Sequence, residues 1–231
     1  MLSAAARCDI RCDVAPYRLS GTVYGTLLNH SSALAAFQGR LELPPYNAAP
    51  RAPVLYVKPR NTLAGCGETV EVPAATAALE VGACLGIVIG RMACNVPETR
   101  SLEYVAGFLL VNDVSIPHPD YYRPAVRYKA RDGFCPIGPW VTARDAVANA
   151  DALTIRTYVD GALVQTMSTA DLKRPVARLL ADVTEFMTLA PGDVLAAGAA
   201  APAPRVRAGQ TVAIEADALG RLVNPFAAAA V

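Results

Sequence analysis

The sequence predicts a mainly β fold with peripheral helices, of the α+β class. Three observations carry this. Short apolar, β-branched runs recur along the 231 residues, each of strand length. Eighteen prolines and sixteen glycines interrupt the chain too often for a helical bundle. No alternation of strands with long helical patterns marks a parallel doubly wound sheet. The hydrophobic fraction is 53% and the aromatic fraction 6%, so Ala, Val and Leu must build the core. The length suits one large domain. Residues 1–20 read as a lead-in and residues 21–231 as a single domain.

Gly21-Thr-Val-Tyr-Gly-Thr-Leu-Leu28 is apolar and β-branched, hence a strand. Asn29-His-Ser-Ser has the character of a helix cap, and Ala33 to Phe37 follows as a short helix. Pro44, Pro45, Pro50 and Pro53 mark an extended loop. Val54 to Val57 is a strand ending at Lys58-Pro59. Gly65-Cys-Gly67 is a turn, and Thr69 to Val72 a short strand before Pro73. Leu79 to Gly90 reads as one long strand, Ser101 to Tyr104 as a short helix, and Val105 to Val114 as the next strand. Ala152 to Val159 alternates, and Asp160-Gly161 closes it into a hairpin with Ala162 to Thr166. Leu172, Val176, Leu179, Leu180, Val183, Phe186 and Met187 are spaced three and four apart. They predict an amphipathic helix over Asp171 to Leu189, with Pro175 in its first turn. Val194 to Ala197, Gln210 to Ala216 and Leu222-Val223 supply late strands.

Lys+Arg number 21 against Asp+Glu 20, for a net charge of +1. With no basic run or basic helix, nucleic acid is excluded as a natural partner. No apolar stretch is long enough to span a bilayer and no signal segment opens the chain, so a soluble, cytoplasmic protein with no membrane partner is expected. Cys8 and Cys12 are spaced Cys-x3-Cys without a second pair at zinc-finger distance. Cys66, Cys84, Cys94 and Cys135 are scattered, as expected of buried free thiols in a reducing compartment.

The polar residues converge on two places. The apolar run from Val105 delivers Asn112-Asp113 at its end. Lys129-Ala-Arg-Asp132 then returns ahead of Pro136-Ile-Gly-Pro-Trp140, which reads as a rigid turn. Charged groups at strand ends are how a scaffold presents a polar site.

Taken together, several landmarks resemble the fumarylacetoacetate hydrolase family. They are Pro53-Val-Leu-Tyr-Val-Lys-Pro59, Ile87-Val-Ile-Gly90, Tyr104-Val-Ala-Gly107, Val111-Asn-Asp-Val-Ser115, Lys129-x-x-Asp132, Phe134-Cys-Pro-Ile-Gly-Pro-Trp140, Gln165, Leu189-x-Pro-Gly-Asp-Val194 and Leu222-Val-Asn-Pro225. Each motif is weak alone; their order and spacing are specific. The resemblance runs from about Gly21 to Pro225 and implies a mixed β-roll, commonly assembled as dimers or duplicated halves. The opening Gly21 to His30, with Ala52 to Thr62, is similar to the branch of the family that isomerises 2-hydroxyhepta-2,4-diene-1,7-dioate and decarboxylates its precursor in homoprotocatechuate catabolism.

That chemistry passes through a dienolate beside a carboxylate, which a divalent metal stabilises well. A hard cation such as Mg²⁺ or Mn²⁺ wants oxygen ligands. The resemblance implies Asp113 as one metal ligand, and a Glu-x-Glu pair on the preceding strand as the others. Those two positions hold Gly82 and Cys84. Glu80 shares their face but starts roughly 6–7 Å from the first position, so only a bulge would bring it in. The resemblance also implies a site role for Lys129 and Asp132. His30 is a candidate for proton transfer, Lys58 for meeting a substrate carboxylate, and Gln165 for lining the pocket. The family's hydrolytic His and Glu fall on Ala33 and Ala36, which disfavours hydrolysis.

Two readings follow. In the first, the chain is an isomerase, or isomerase/decarboxylase, subunit taking a small di- or tricarboxylate substrate. In the second, it is a non-catalytic partner of a metal-bearing paralogous subunit. Either implies a homo-oligomer or a paired assembly.

Overall fold

The computed structural model describes residues 7–9, 19, 22–37, 39–118 and 123–229. Most of the expected lead-in, including Cys12, lies outside them. Among the described residues, no helix is long and apolar enough to cross a membrane.

Two larger sheets and a two-stranded ribbon make up the fold. The large sheet runs Arg7–Asp9, Cys135–Ala143, Val105–Asn112, Ala83–Ile89, Val194–Ala196, Val23–Leu27, Val54–Lys58, with Leu63–Ala64 also pairing with Cys135–Ala143. The second runs Ala162–Ser168, Thr154–Val159, Thr211–Ala216, Gly220–Ala228, Val70–Val72. Leu79–Glu80 and Arg205–Val206 form the ribbon. Three pairings are parallel: Val194–Ala196 with Val23–Leu27, Leu63–Ala64 with Cys135–Ala143, and Gly220–Ala228 with Val70–Val72. The mainly β class with few helices is thus the observed architecture.

Ala83–Ile89 is buried along its whole length, which is why it reads as a continuous apolar run. Its alternate residues serve two cores. Leu85, Ile87 and Ile89 face a large cluster shared with Phe108 and Leu110, with Ile155, Ile214 and Leu222 of the second sheet, and with Val176, Leu179, Leu180 and Val183 of a helix. Cys84 and Val88 face a smaller cluster with Val23, Leu109, Val111, Ile137 and Val194.

The Asp160-Gly161 hairpin forms as expected. Val159 pairs with Ala162, and both turn residues have positive φ, 50° and 83°, the two-residue turn that matches strand twist. Four expectations need correction. The strand expected over Leu79 to Gly90 is two strands, broken at Val81-Gly82. There Val81 N–H turns to Pro204 O, and Gly82 O accepts from Asp113 N–H. The helix expected over Asp171 to Leu189 is only Val176–Thr184. Pro175, extended at ψ 165°, stands before it as the N-cap, and the helix does not reach back past it because proline disfavours helical backbone in its predecessor, here Arg174. Its carbonyl accepts the first helical hydrogen bond, from Leu179 N–H. The Pro136-to-Trp140 turn is instead part of the strand Cys135–Ala143. The ladder with Val105–Asn112 jumps from Phe108↔Thr142 to Leu110↔Gly138, so Pro139, which has no N–H to give, falls in the bulge. Of the four scattered cysteines, Cys84 and Cys135 are buried, but Cys66 and Cys94 are exposed.

Candidate active site

Asp113 follows directly on the buried strand Val105–Asn112 and is itself only 8% exposed. A carboxylate taken so far from water must be paired. Three groups meet it. Lys58 Nζ lies 2.8 Å from Oδ1 and Lys129 Nζ 2.6 Å from Oδ2. The Tyr56 hydroxyl donates to Oδ2.

Each partner is placed by local structure. Tyr56 and Lys58 alternate on the strand Val54–Lys58 and so share a face. Gly25 stands opposite Tyr56. A Cβ on Gly25 would come 2.0 Å from the ring carbon Cζ, so only glycine lets the ring cross the strand there. Lys129 ends the one-turn helix Val126–Lys129, and its ammonium sits 4.7 Å from the Tyr56 ring centroid, a cation–π contact. Lys58 is 1% exposed. Its Nζ donates to the backbone carbonyls of Val114, Lys129 and Phe134 at 2.8, 2.9 and 2.8 Å. It therefore cross-braces the segments that carry Asp113 and Lys129.

These contacts set the electrostatics. Burial alone would push the Asp113 carboxyl up, but Lys129 and then Lys58 overcome it and hold it well below the usual carboxylate range. Burial lowers the Lys58 ammonium despite Asp113 beside it. The Tyr56 hydroxyl is raised well above ordinary tyrosine, first by burial and then by Asp113, so it keeps its proton.

Tyr56, Asp113 and Lys129 line a cavity of about 310 Å³ together with Glu80, Gly82 and Arg205. Ala33, Ala36 and the stretch Ala199 to Ala203 close it further. Tyr56 and Lys129 also line a second cavity of about 480 Å³, walled by Val54, Leu55 and Val126. Leu27 lines both spaces as well.

The structure brings together Asp113 and Lys129 in the cavity, with Glu80 at its wall, and places the other expected residues elsewhere. Lys58 lies beneath Asp113, outside the cavity lining. Asp132 is exposed and accepts from Asn61 Nδ2 at 2.6 Å; it lines a separate pocket with Glu71 and Arg131. His30 caps the helix Ser31–Ala35, with Nδ1 accepting from Ser32 N–H. Burial lowers its pKa, and it does not line the cavity. Gln165 donates to Pro202 O at 2.7 Å and so steadies the cavity rim. Tyr56 and Arg205 belong to the site but carry no motif of their own. The alternation Leu55-Tyr-Val-Lys58 is the signal that finds Tyr56; nothing local in the sequence marks Arg205.

A divalent metal does not fit this arrangement. Asp113 is occupied by a phenol and by two ammonium groups, and the positive charge of the ammonium groups would repel a cation. Gly82 supplies no ligand, and a Cβ there would already lie 3.0 Å from Asp113 O and 3.1 Å from Ala199 Cβ. Cys84 turns its sulfur to Val111 O inside the smaller core, and burial pushes its thiol far up. Glu80 is paired with Arg205 at 3.5 Å. Among the described residues, no group of three His, Cys, Asp or Glu side chains could hold a metal ion.

Comparison with known proteins adds the following. Residues 22–227 match the family model described as fumarylacetoacetate (FAA) hydrolase C-terminal. Over 207 residues the chain is 41% identical to the 4-hydroxyphenylacetate degradation bifunctional isomerase/decarboxylase of Escherichia coli, covering 90% of this chain and 47% of that protein. The chain thus spans about half the length of the curated isomerase/decarboxylase relatives it matches. A 5-carboxymethyl-2-hydroxymuconate delta-isomerase from Mycobacterium smegmatis superposes with a TM-score of 0.78 at 29% identity, covering 91% of this chain and 80% of that one. The 2-hydroxyhepta-2,4-diene-1,7-dioate isomerase from Mycobacterium marinum gives 0.75 at 26% identity, covering 91% and 76%.

Proposed function

Because the chain belongs to the fumarylacetoacetate hydrolase family, we propose that it is an isomerase subunit that also serves decarboxylation. Its substrate is a linear 2-hydroxydienoic dicarboxylate of the 2-hydroxyhepta-2,4-diene-1,7-dioate kind, in 4-hydroxyphenylacetate catabolism. One observation carries the reading. Lys129, Tyr56 and Asp113 line one cavity, and they present cation, proton and anion without a metal.

Isomerisation moves a proton from the 2-hydroxyl to a carbon along the conjugated chain, with no change of oxidation state. The intermediate is a dienolate whose charge rests on the 2-oxygen. The Lys129 ammonium, oriented by Asp113 and only 7% exposed, supplies the compensating charge. The Tyr56 hydroxyl holds a proton beside it. Loss of carbon dioxide leaves the same type of dienolate, so the same groups serve both reactions. Ala33 and Ala36 line the cavity where hydrolytic relatives place a base dyad, so no side chain there activates water.

A second reading is favoured by the same ion-pair network. Asp113 is ion-paired to Lys58 and Lys129 within the chain, as expected of a half that supports a metal-bearing paralogous subunit without turning over substrate itself.

An isomerase assay on the purified chain, followed as loss of dienol ultraviolet absorbance, separates the two. Turnover that is unchanged by chelator is the expected result, with calorimetry giving no micromolar Mg²⁺ or Mn²⁺ affinity. Turnover abolished by chelator would refute a metal-free centre. No turnover alone, restored by mixing with a metal-bearing paralogue, would establish the partner reading.

A further inference from the structure

The cavity has a second cationic end that the family motifs do not account for. Arg205 lines it, and the Arg205 side chain is 67% exposed. Its neighbour is Glu80, placed opposite it by the ribbon register. The 3.5 Å contact between them is longer than a close charge-assisted hydrogen bond. Arg205 therefore retains donors for another acceptor, since a guanidinium carries five N–H groups.

Its position relative to Asp113 follows from the backbone. Glu80 exchanges two hydrogen bonds with Ser115, and Gly82 O accepts from Asp113 N–H. Arg205, opposite Glu80 on the edge away from Ser115, thus lies one two-residue repeat along the strand direction and two strand spacings across it from Asp113, a backbone separation of roughly 11–12 Å. The long Arg205 side chain lines the same cavity as Lys129, so a linear seven-carbon dicarboxylate can join the two. Six bonds of about 1.5 Å in a staggered chain separate its carboxyl carbons by about 7–8 Å.

We infer that Arg205 is a specificity-determining residue, holding the far carboxylate of a linear dicarboxylate whose near end lies at Lys129. This rests on the proposed function for the identity of the near end. Glu80 is the competing anion. It shares the guanidinium with the ligand and weakens its hold, which keeps the far end from binding too tightly to leave.

The test is calorimetry in the presence of chelator with two unreactive probes, 2-oxoheptanedioate and 2-oxoheptanoate, which differ only in the far carboxylate. The wild-type chain is expected to prefer the dicarboxylate by about tenfold or more, the worth of one charge-assisted contact. Arg205→Leu abolishes that preference and leaves the monocarboxylate affinity unchanged. Glu80→Gln increases dicarboxylate affinity. Equal weakening of both probes in Arg205→Leu, no preference in the wild type, or binding of neither probe would overturn the assignment. Turnover measured in parallel keeps the two ideas apart. A dicarboxylate preference without turnover sinks the catalytic reading alone; turnover without a preference sinks the Arg205 subsite alone.

Discussion

Asp113→Ala is expected to lower the free energy of unfolding by about 3–5 kcal/mol, the usual cost of leaving a buried charge without its partner. That is a large share of the stability of an ordinary domain. The loss comes from Lys58 more than from Asp113. Lys58 is buried at 1% exposure, so water cannot replace the lost carboxylate, and the three carbonyls that accept from it supply no full negative charge. Lys129 has the cavity beside it and loses less. Urea denaturation of the variant checks the figure. The exposed pair Arg156–Asp217, with Asp217 87% exposed, is the control: Asp217→Ala should change stability little.

The same carboxyl sets a pH dependence. Asp113 is held below its unfolded value, about 3.9 for an aspartate. Its contribution is therefore fully present above that pH and is lost as pH falls through the lower folded value. Urea midpoints measured from pH 7 down to pH 2 should fall in two steps, the first below about pH 6.5, where the buried His30 resists protonation, and the second below about pH 4, where Asp113 does. In Asp113→Asn the corresponding part of the fall is absent. An acid fall below pH 4 that persists unchanged in Asp113→Asn would point to another group.

The second large effect concerns turnover. Lys129→Met is expected to lower kcat/KM by about 10²–10³-fold, the range seen when one group stabilising an anionic transition state is removed. Methionine lacks the terminal ammonium and keeps an unbranched apolar stem beside Tyr56, so circular dichroism should be unchanged. The loss should fall mainly on kcat, because the charge is needed most when the dienolate forms. Unaltered kcat with a raised KM would mean that Lys129 only binds substrate. Turnover restored by added Mg²⁺ in this variant would mean that Asp113, once freed, recruits a metal.

Much of the fold was legible because its elements have simple periods. Ala83–Ile89 and Val105–Asn112 are uninterrupted apolar runs, and Asp160-Gly161 is a turn with a backbone reason. What was not legible involves contacts between distant segments. The break at Val81-Gly82 depends on Pro204 and Asp113, both far along the chain. The helix starting at Val176 looked longer because the apolar spacing continues on both sides, while Pro175 decides where helical backbone can begin. The site divides in the same way. Asp113 and Lys129 stand in recognisable motifs, and the loss of the carboxylate pair at Gly82 and Cys84 is visible by counting. That Lys58 is a strut and Arg205 a wall of the cavity is a matter of which segments meet, and no local pattern encodes it.

The Lys58 strut has a consequence for how the protein forms. Its ammonium ties together Val114, Lys129 and Phe134, separated from it by 56, 71 and 76 residues. Closing such loops costs chain entropy before any contact offsets it. The lysine gains its partners only when all three segments have arrived, and before that it is a charge with no place in an apolar interior. The site is therefore complete only where all three segments are in place together.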